Sequence, residues 1–415
     1  MLRNTSTSHP SVILSHAGVQ YSYHVAFTLQ EAGFLKGFWT TLYDFNHQNG
    51  TSWIRGLNRR HYEGLRKELV HSYPWPEVFQ KAFISLLGRN YFTTNRLLQW
   101  RNRWFDSHVA NQLDRDSFDC FMGYAGSCLT SVKRTKKLGR WAIVDQHDVH
   151  PAIAERLLKE EVELNPDFAP LISYWPPDRG YLERLGEELE LADQILVLSS
   201  FSLNSHRQGG IPREKLVCIP LGVDIPASPL NRKREKKPFR ILFVGTISQR
   251  KGIKYLLEAV KQLRLPESEL VLVGQIDGDP TPLNPYKDFF RQVGFLSREA
   301  MREYWESSHV LVLPSIYDSL GLVILEAMAH GVPVIVSENT IGSEAVREGS
   351  DGFVVPIRDV EALKDRILRL YENRWLCDEM GQNARERARE FTWVKYRERL
   401  TIFLETLDFL KMVRS

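Results

Sequence analysis

Asp318 and Glu326 are the residues of this chain whose type and spacing most plainly suit chemistry. They lie eight residues apart in Pro314–Ser337, PSIYDSLGLVILEAMAHGVPVIVS. Glu326 is the one charge in the apolar run from Gly321 to Ala329, and a carboxylate placed there is costly to bury unless something bonds to it. Asp318 stands just ahead of Gly321, where a loop turns into the predicted helix. Two carboxylates, one at a helix start and one two turns in, suit a polyhydroxylated ligand such as a sugar. The first amides of such a helix point outward and carry the positive end of its dipole, which favours a phosphate. The alternative is an ordinary buried helix with Glu326 paired to a neighbouring Lys or Arg.

The elements around this pair must position it. Gly331-Val332-Pro333 ends the predicted helix, and Val334-Ile335-Val336 reads as a buried parallel strand. The order of residues resembles the acidic motif of the family 4 retaining glycosyltransferases. There an acid, a Gly three residues on and a Glu eight residues on precede Ala-Met-Ala and Gly-x-Pro-Val, which Asp318, Gly321, Glu326, Ala327, Met328, Ala329, Gly331, Pro333 and Val334 match. Asp318 stands where that family usually has Glu. The resemblance implies that Glu326 holds ribose hydroxyls, that Asp318 orients the sugar, and that the amides near Gly321, Leu322 and Val323 face a diphosphate.

A chain of 415 residues exceeds one hydrophobic core, so two domains are expected. A formal charge of +3 leaves any basic surface local. Cys120, Cys128, Cys218 and Cys377 are scattered without metal-ligand spacing, which reads as reduced thiols and no zinc site. The apolar run Val12–Leu14 is too short for a secretion signal, and no stretch has the length of a membrane span, so a cytoplasmic setting is expected.

Along the chain, Val12-Ile13-Leu14 reads as a first strand leading through Ala17-Gly18 into a helix, a layout that brings backbone amides to a phosphate. Phe118–Met122 and Trp141–Val144 read as further strands, the second delivering His147, Asp148 and His150 at its carboxyl end. The resembled family places a sugar-contacting His in such a segment; His147 is the best match and His150 the competitor. Arg240–Val244 restarts the alternation with Gly245, then Arg250-Lys251 before Gly252. Paired cations there could neutralise a diphosphate, and the position matches the family's Gly-to-Lys-Gly loop, Arg250 standing in for the Arg that Thr246 replaces. Phe295, after Val293-Gly294, falls where family members hold the nucleotide base partly through backbone.

Strand–helix alternation in two blocks predicts two doubly wound α/β domains facing a cleft; the resemblance names this the GT-B arrangement. The expected bounds are an acceptor-side domain over 1–225, a linker over 226–238, a nucleotide-sugar domain over 239–390 and a helix over 391–415 returning to the first domain. The expected activity is transfer of a sugar from a nucleoside-diphosphate sugar, a UDP- or GDP-sugar, to a carbohydrate or lipid-linked acceptor. The donor is a co-substrate, no cofactor is expected, and the sequence is read as lacking any Asp-x-Asp ligand pair at a strand end, so a metal-independent reaction is expected. A nucleotide-sugar epimerase or a silent nucleotide-sugar binder are the alternatives. Residues 51–105 carry ten basic residues against three acids, interleaved with Trp, Tyr and Phe. That composition reads either as a solvated face over an aromatic core or as a contact with anionic lipid; nucleic acid has no motif to support it.

Overall fold

A computed structural model describes residues 10–19, 21–45, 60–87, 91–115, 117–172, 179–227 and 238–407. Short apolar runs with branched side chains, Val12–Leu14 or Val310–Leu313 for example, are buried on both faces, as parallel strands between helix layers must be. Two sheets result. The first contains β1 (Val12–His16), β2 (Leu35–Thr40), β3 (Val70–Ser72), β4 (Cys120–Tyr124), β5 (Trp141–Asp145), β6 (Gln194–Val197) and β7 (Leu216–Cys218). The second contains β8 (Phe239–Val244), β9 (Ser268–Val273), β10 (Arg291–Val293), β11 (Val310–Leu313), β12 (Val334–Ser337) and β13 (Gly352–Val355).

The strand orders are β3-β2-β1-β4-β5-β6-β7 and β10-β9-β8-β11-β12-β13, parallel throughout. In each sheet the winding reverses at the first strand, between β1 and β4 and between β8 and β11. Crevices at the carboxyl ends of strands open at such switch points, beside the loops after β1 and β4 in the first sheet and after β8 and β11 in the second; the loop after β5, one strand further on, lies at the same end of the sheet. The loops after β1, β5, β8 and β11 carry Gly18, His147, Lys251 and Asp318.

The strands expected at Val12–Leu14, Phe118–Met122, Trp141–Val144, Arg240–Val244 and Val334–Val336 are present as β1, β4, β5, β8 and β12. The terminal helix Trp393–Thr406 is capped by Thr392, whose hydroxyl accepts from the Lys395 amide at 3.3 Å. It returns to the first domain: Trp393 stacks on His24 with centroids 3.7 Å apart, and the Val223 amide donates to Phe391 O at 2.8 Å. The expected linker over 226–238 lies mostly outside the described residues.

The domains are also joined by polar contacts. Glu161, fully buried on the helix Pro151–Leu164, accepts from Asn165, Gln249 and Tyr255 through Oε1 and from Arg358 through Oε2, at 2.6–2.8 Å. Gln249 and Tyr255 belong to the second domain, immediately around Arg250-Lys251.

Candidate active site

The loop after β8 is shaped by glycines that cannot be replaced at no cost. Gly252 has φ +71°, and a Cβ there would lie 1.9 Å from Pro314 O. With that close approach the Ile316 amide donates to Arg250 O at 2.9 Å, tying the Gln249–Lys251 turn to the loop after β11. A Cβ on Gly274, φ +153°, would lie 1.9 Å from Gly245 O, so the turn after β9 presses on the turn after β8.

Stitching the β8 and β11 loops together puts the Lys251 ammonium in an ion pair with Asp318 Oδ2, both side chains being largely buried. Burial raises the Asp318 carboxyl, but Lys251 and Arg250 outweigh it and hold the acid below its ordinary range. Burial lowers the Lys251 ammonium, with Asp318 opposing and Arg250 assisting. Arg250 lies over the Tyr317 ring at 5.4 Å, and its pKa is raised because Asp318, Tyr317, Asp148 and Asp277 overcome its burial. Sequence reasoning gave Lys251 to the diphosphate and Asp318 to the sugar without foreseeing that they touch. A phosphate arriving here competes with Asp318 for one ammonium.

Between the turn after β8 and the helix Leu322–Ala329 is a cavity of about 610 Å³, well within the size of small-molecule sites. Gly245, Thr246, Phe295, Arg298, Leu322 and Glu326 line it from the second domain, and Asp224 and Trp393 from the opposite wall. Gly321, φ +72°, starts the helix Leu322–Ala329 without any side-chain cap, and Val323 is half-buried in its first turn. Glu326 is half-buried, and its carboxyl is pushed up by burial, with Arg298 opposing and Asp224 assisting. Among the described residues it is not in the ion pair that was the alternative; it faces the cavity. Phe295 is 67% exposed at the rim, suited to stacking on a planar base. Arg298, Asp224 and Trp393 carry no sequence signal of their own, because the fold alone brings them here.

The first domain supplies a smaller cavity of about 90 Å³, lined by His147, Asp148, Tyr181 and Tyr317. Tyr317 precedes Asp318, so this cavity adjoins the Lys251–Asp318 pair. His147 Nδ1 is buried without a hydrogen-bond partner among the described residues; burial lowers the ring's pKa and Asp148 opposes. His150 has another task. It caps its helix, Nδ1 accepting from the Ala152 amide at 3.3 Å, with its ring packed against Gly209 and His206. Gly18 donates its amide to His16 Nδ1 at 2.7 Å, so that amide is spent inside the protein and Gly18 contributes close approach alone.

An Asp-x-Asp triplet that the sequence reading passed over, Asp277-Gly278-Asp279, follows β9. Asp279 Oδ1 accepts from the Thr281 amide and hydroxyl at 2.9 and 2.7 Å, and Gly278 packs on Pro170 O, so the triplet forms a turn against the first domain. Among the described residues no group of three or more His, Cys, Asp or Glu side chains is placed to hold a metal ion.

Comparison with known proteins bears on the second domain and on the fold. Residues 226–387, most of the second domain, match the family described as glycosyl transferases group 1. The chain is 30% identical over 242 residues to the O-antigen chain mannosyltransferase B of Escherichia coli, covering 53% of this chain and 63% of that protein. It is 28% identical over 238 residues to the MMP alpha-(1->4)-mannosyltransferase of Mycolicibacterium hassiacum, covering 54% and 56%. The matched stretch thus spans about half the length of the curated relatives. Anabaena Alr3699/HepE, solved in complex with UDP and glucose, superposes with a TM-score of 0.63 at 15% identity, covering 96% of this chain and 100% of that one. The sucrose-phosphate synthase of Thermosynechococcus elongatus gives 0.61 at 20% identity, covering 95% and 98%. At those identities the likeness establishes the fold, two Rossmann-like domains in the GT-B arrangement.

Proposed function

We propose, from the premise of a glycosyl transferases group 1 domain facing a second parallel-sheet domain, that this chain moves a hexosyl group from a nucleoside-diphosphate sugar to an acceptor hydroxyl with retention at the anomeric carbon. The observation that carries the reading is the Lys251–Asp318 ion pair together with a nucleotide-sized cavity that contains Gly245 and Glu326. As the bond from the anomeric carbon to the diphosphate breaks, negative charge grows on the leaving oxygen. Lys251, Arg250 and the first amides of the helix after Gly321 stabilise that charge in a site largely closed to water. Glu326 accepts from ribose hydroxyls. Freed from Lys251, Asp318 accepts from the sugar, and His147 fixes it from the other wall. With two cations and a helix end on the diphosphate, no metal is required by this scheme.

The UDP complex of the Anabaena protein and the mannosyltransferase names of two relatives favour a UDP- or GDP-sugar as donor. The O-antigen relative favours a carbohydrate or lipid-linked acceptor in cell-surface polysaccharide or glycolipid synthesis, reached from the cytoplasmic face of a membrane. Purified protein incubated with UDP-glucose or GDP-mannose and a polyprenyl-linked saccharide tests this. Acceptor-dependent release of nucleotide, with the new anomeric coupling the same as in the donor, is the expected result. A new sugar isomer formed from donor alone would identify an epimerase instead, and binding without release a silent binder.

A further inference from the structure

The helix Trp75–Leu87 is turned the opposite way from an ordinary surface helix. Two of its polar residues face inward: Glu77, 1% exposed, accepts from Arg60 and from the Thr41 hydroxyl, and Gln80 accepts from Arg101. Its apolar residues face outward: Trp75, Phe79, Phe83 and Leu86 follow helical spacing along one stripe, and Leu86 is 81% exposed. The following helix, Tyr91–Gln112, extends the stripe. Phe79 meets Trp104 at 5.6 Å and Phe83 meets Trp100 at 6.5 Å between ring centroids, with Trp100 and Leu98 again exposed. The other large apolar side chains left exposed among the described residues are dispersed along the chain. A concentrated apolar stripe of this kind needs an occupant.

Charge says which. Lys81, Arg96 and Arg103 are exposed on these two helices, while Glu77, the sole acid between 75 and 105, is buried and ion-paired. A second copy of the chain seated here by a two-fold axis would bring like charges together. Aromatic side chains flanked by cations, with no exposed carboxylate, fit the headgroup region of an anionic bilayer. Among the described residues no helix is long and apolar enough to cross a membrane, so the contact lies in the plane of the surface.

We propose that the paired helices 75–87 and 91–112 seat the first domain on an anionic lipid surface, with Trp75, Phe79, Phe83, Leu86 and Trp100 in the interface and Arg96 and Arg103 against phosphate headgroups, Lys81 being paired with Glu77. The inference deepens the proposed function, because the seated domain is the acceptor-side one, but it is read without turnover. The full chain is sedimented at low salt with phosphatidylcholine vesicles, with and without phosphatidylglycerol. The expected result is pelleting that needs phosphatidylglycerol, and weakening of about tenfold or more in Arg96→Glu/Arg103→Glu and in Phe79→Ser/Phe83→Ser. Unchanged melting temperatures show that the variants are folded. The charge variant alters exposed side chains alone, so it remains decisive if the aromatic variant does not fold. No pelleting of wild type, pelleting indifferent to both variants, or light scattering showing a dimer that the same variants dissolve, would overturn the proposal. Loss of pelleting with turnover intact removes this inference alone, and absent turnover with pelleting as expected removes the enzymatic reading alone.

Discussion

At the scale of single residues, the account gives Lys251 and Glu326 separable roles. Lys251→Ala removes a cation whose value is greatest as the diphosphate departs, so turnover is expected to fall by about two to three orders of magnitude, with a drop in stability smaller than the loss of about 3–5 kcal/mol when a buried charge is left wholly unpaired. The fold should survive because the substitution leaves the acid Asp318 beside Arg250. Glu326→Ala loses ribose contacts and is expected to weaken donor binding by about 2 kcal/mol or more. Steady-state kinetics on both variants check these roles, and wild-type rates in either would refute the assignment. A different acid governs pH dependence. Asp145, at the end of β5, is pushed up to about 7 by burial, against the opposing Tyr21 hydrogen bond; Glu188 is likewise pushed up to about 7 by burial, with backbone amides of Gly126 and Cys128 opposing. An acid raised by folding binds more protons in the native state, so its contribution is full below the unfolded pKa and is lost as pH rises through about 7. These two acids therefore withdraw stability on the order of a few kcal/mol as pH rises from about 4 to 7, and Asp145→Asn should remove its part of that change in urea melts. The residues of the motif, Asp318 to Pro333, could be read in the sequence because their order is local. The Lys251–Asp318 contact and Asp145 could not, since each depends on strands adjacent in space and distant in the chain.

At the scale of elements, the glycines and the interdomain polar hub do the positioning. Gly252→Ala must strain a left-handed backbone and push Pro314 O away. It is expected to cost about 1–3 kcal/mol and to weaken donor binding together with stability, because Lys251 is the preceding residue. Glu161→Ala leaves Arg358, Tyr255 and Gln249 facing an uncompensated buried site, a loss of about 3–5 kcal/mol; chemical denaturation measures it, and a near-neutral result would show that the hub contributes little. The strands were legible because parallel strands buried on both faces read as apolar runs. β2 and β3 were not: Leu35–Thr40 carries Lys36 and Gly37, and Val70–Ser72 is three residues at a sheet edge. The hub was illegible for a different reason. Glu161 meets Gln249 across 88 positions and Arg358 across 197, and no local pattern marks a buried carboxylate whose partners arrive from another domain.

At the scale of the whole molecule, two sheets wound from β1 and from β8 set their switch points on opposite sides of one cleft, and the helix Trp393–Thr406 closes the chain back onto the first domain. The alternation of strand and helix foretold that architecture, and the group 1 match over 226–387 agrees with it. The outward apolar face of helices 75–87 and 91–112 was not foretold, because composition alone could not orient it. The central claim is that the cavity bounded by Gly245, Phe295 and Glu326 holds a nucleoside diphosphate against Lys251. Thermal unfolding of wild type and Glu326→Ala with UDP, GDP, ADP, dTDP and NAD tests it most directly, since a ligand at a hundred times its dissociation constant adds about 2.7 kcal/mol. A rise in melting temperature with UDP or GDP that the variant loses is the predicted result. No rise with any nucleoside diphosphate, a rise with NAD alone, or an equal rise in the variant would contradict it.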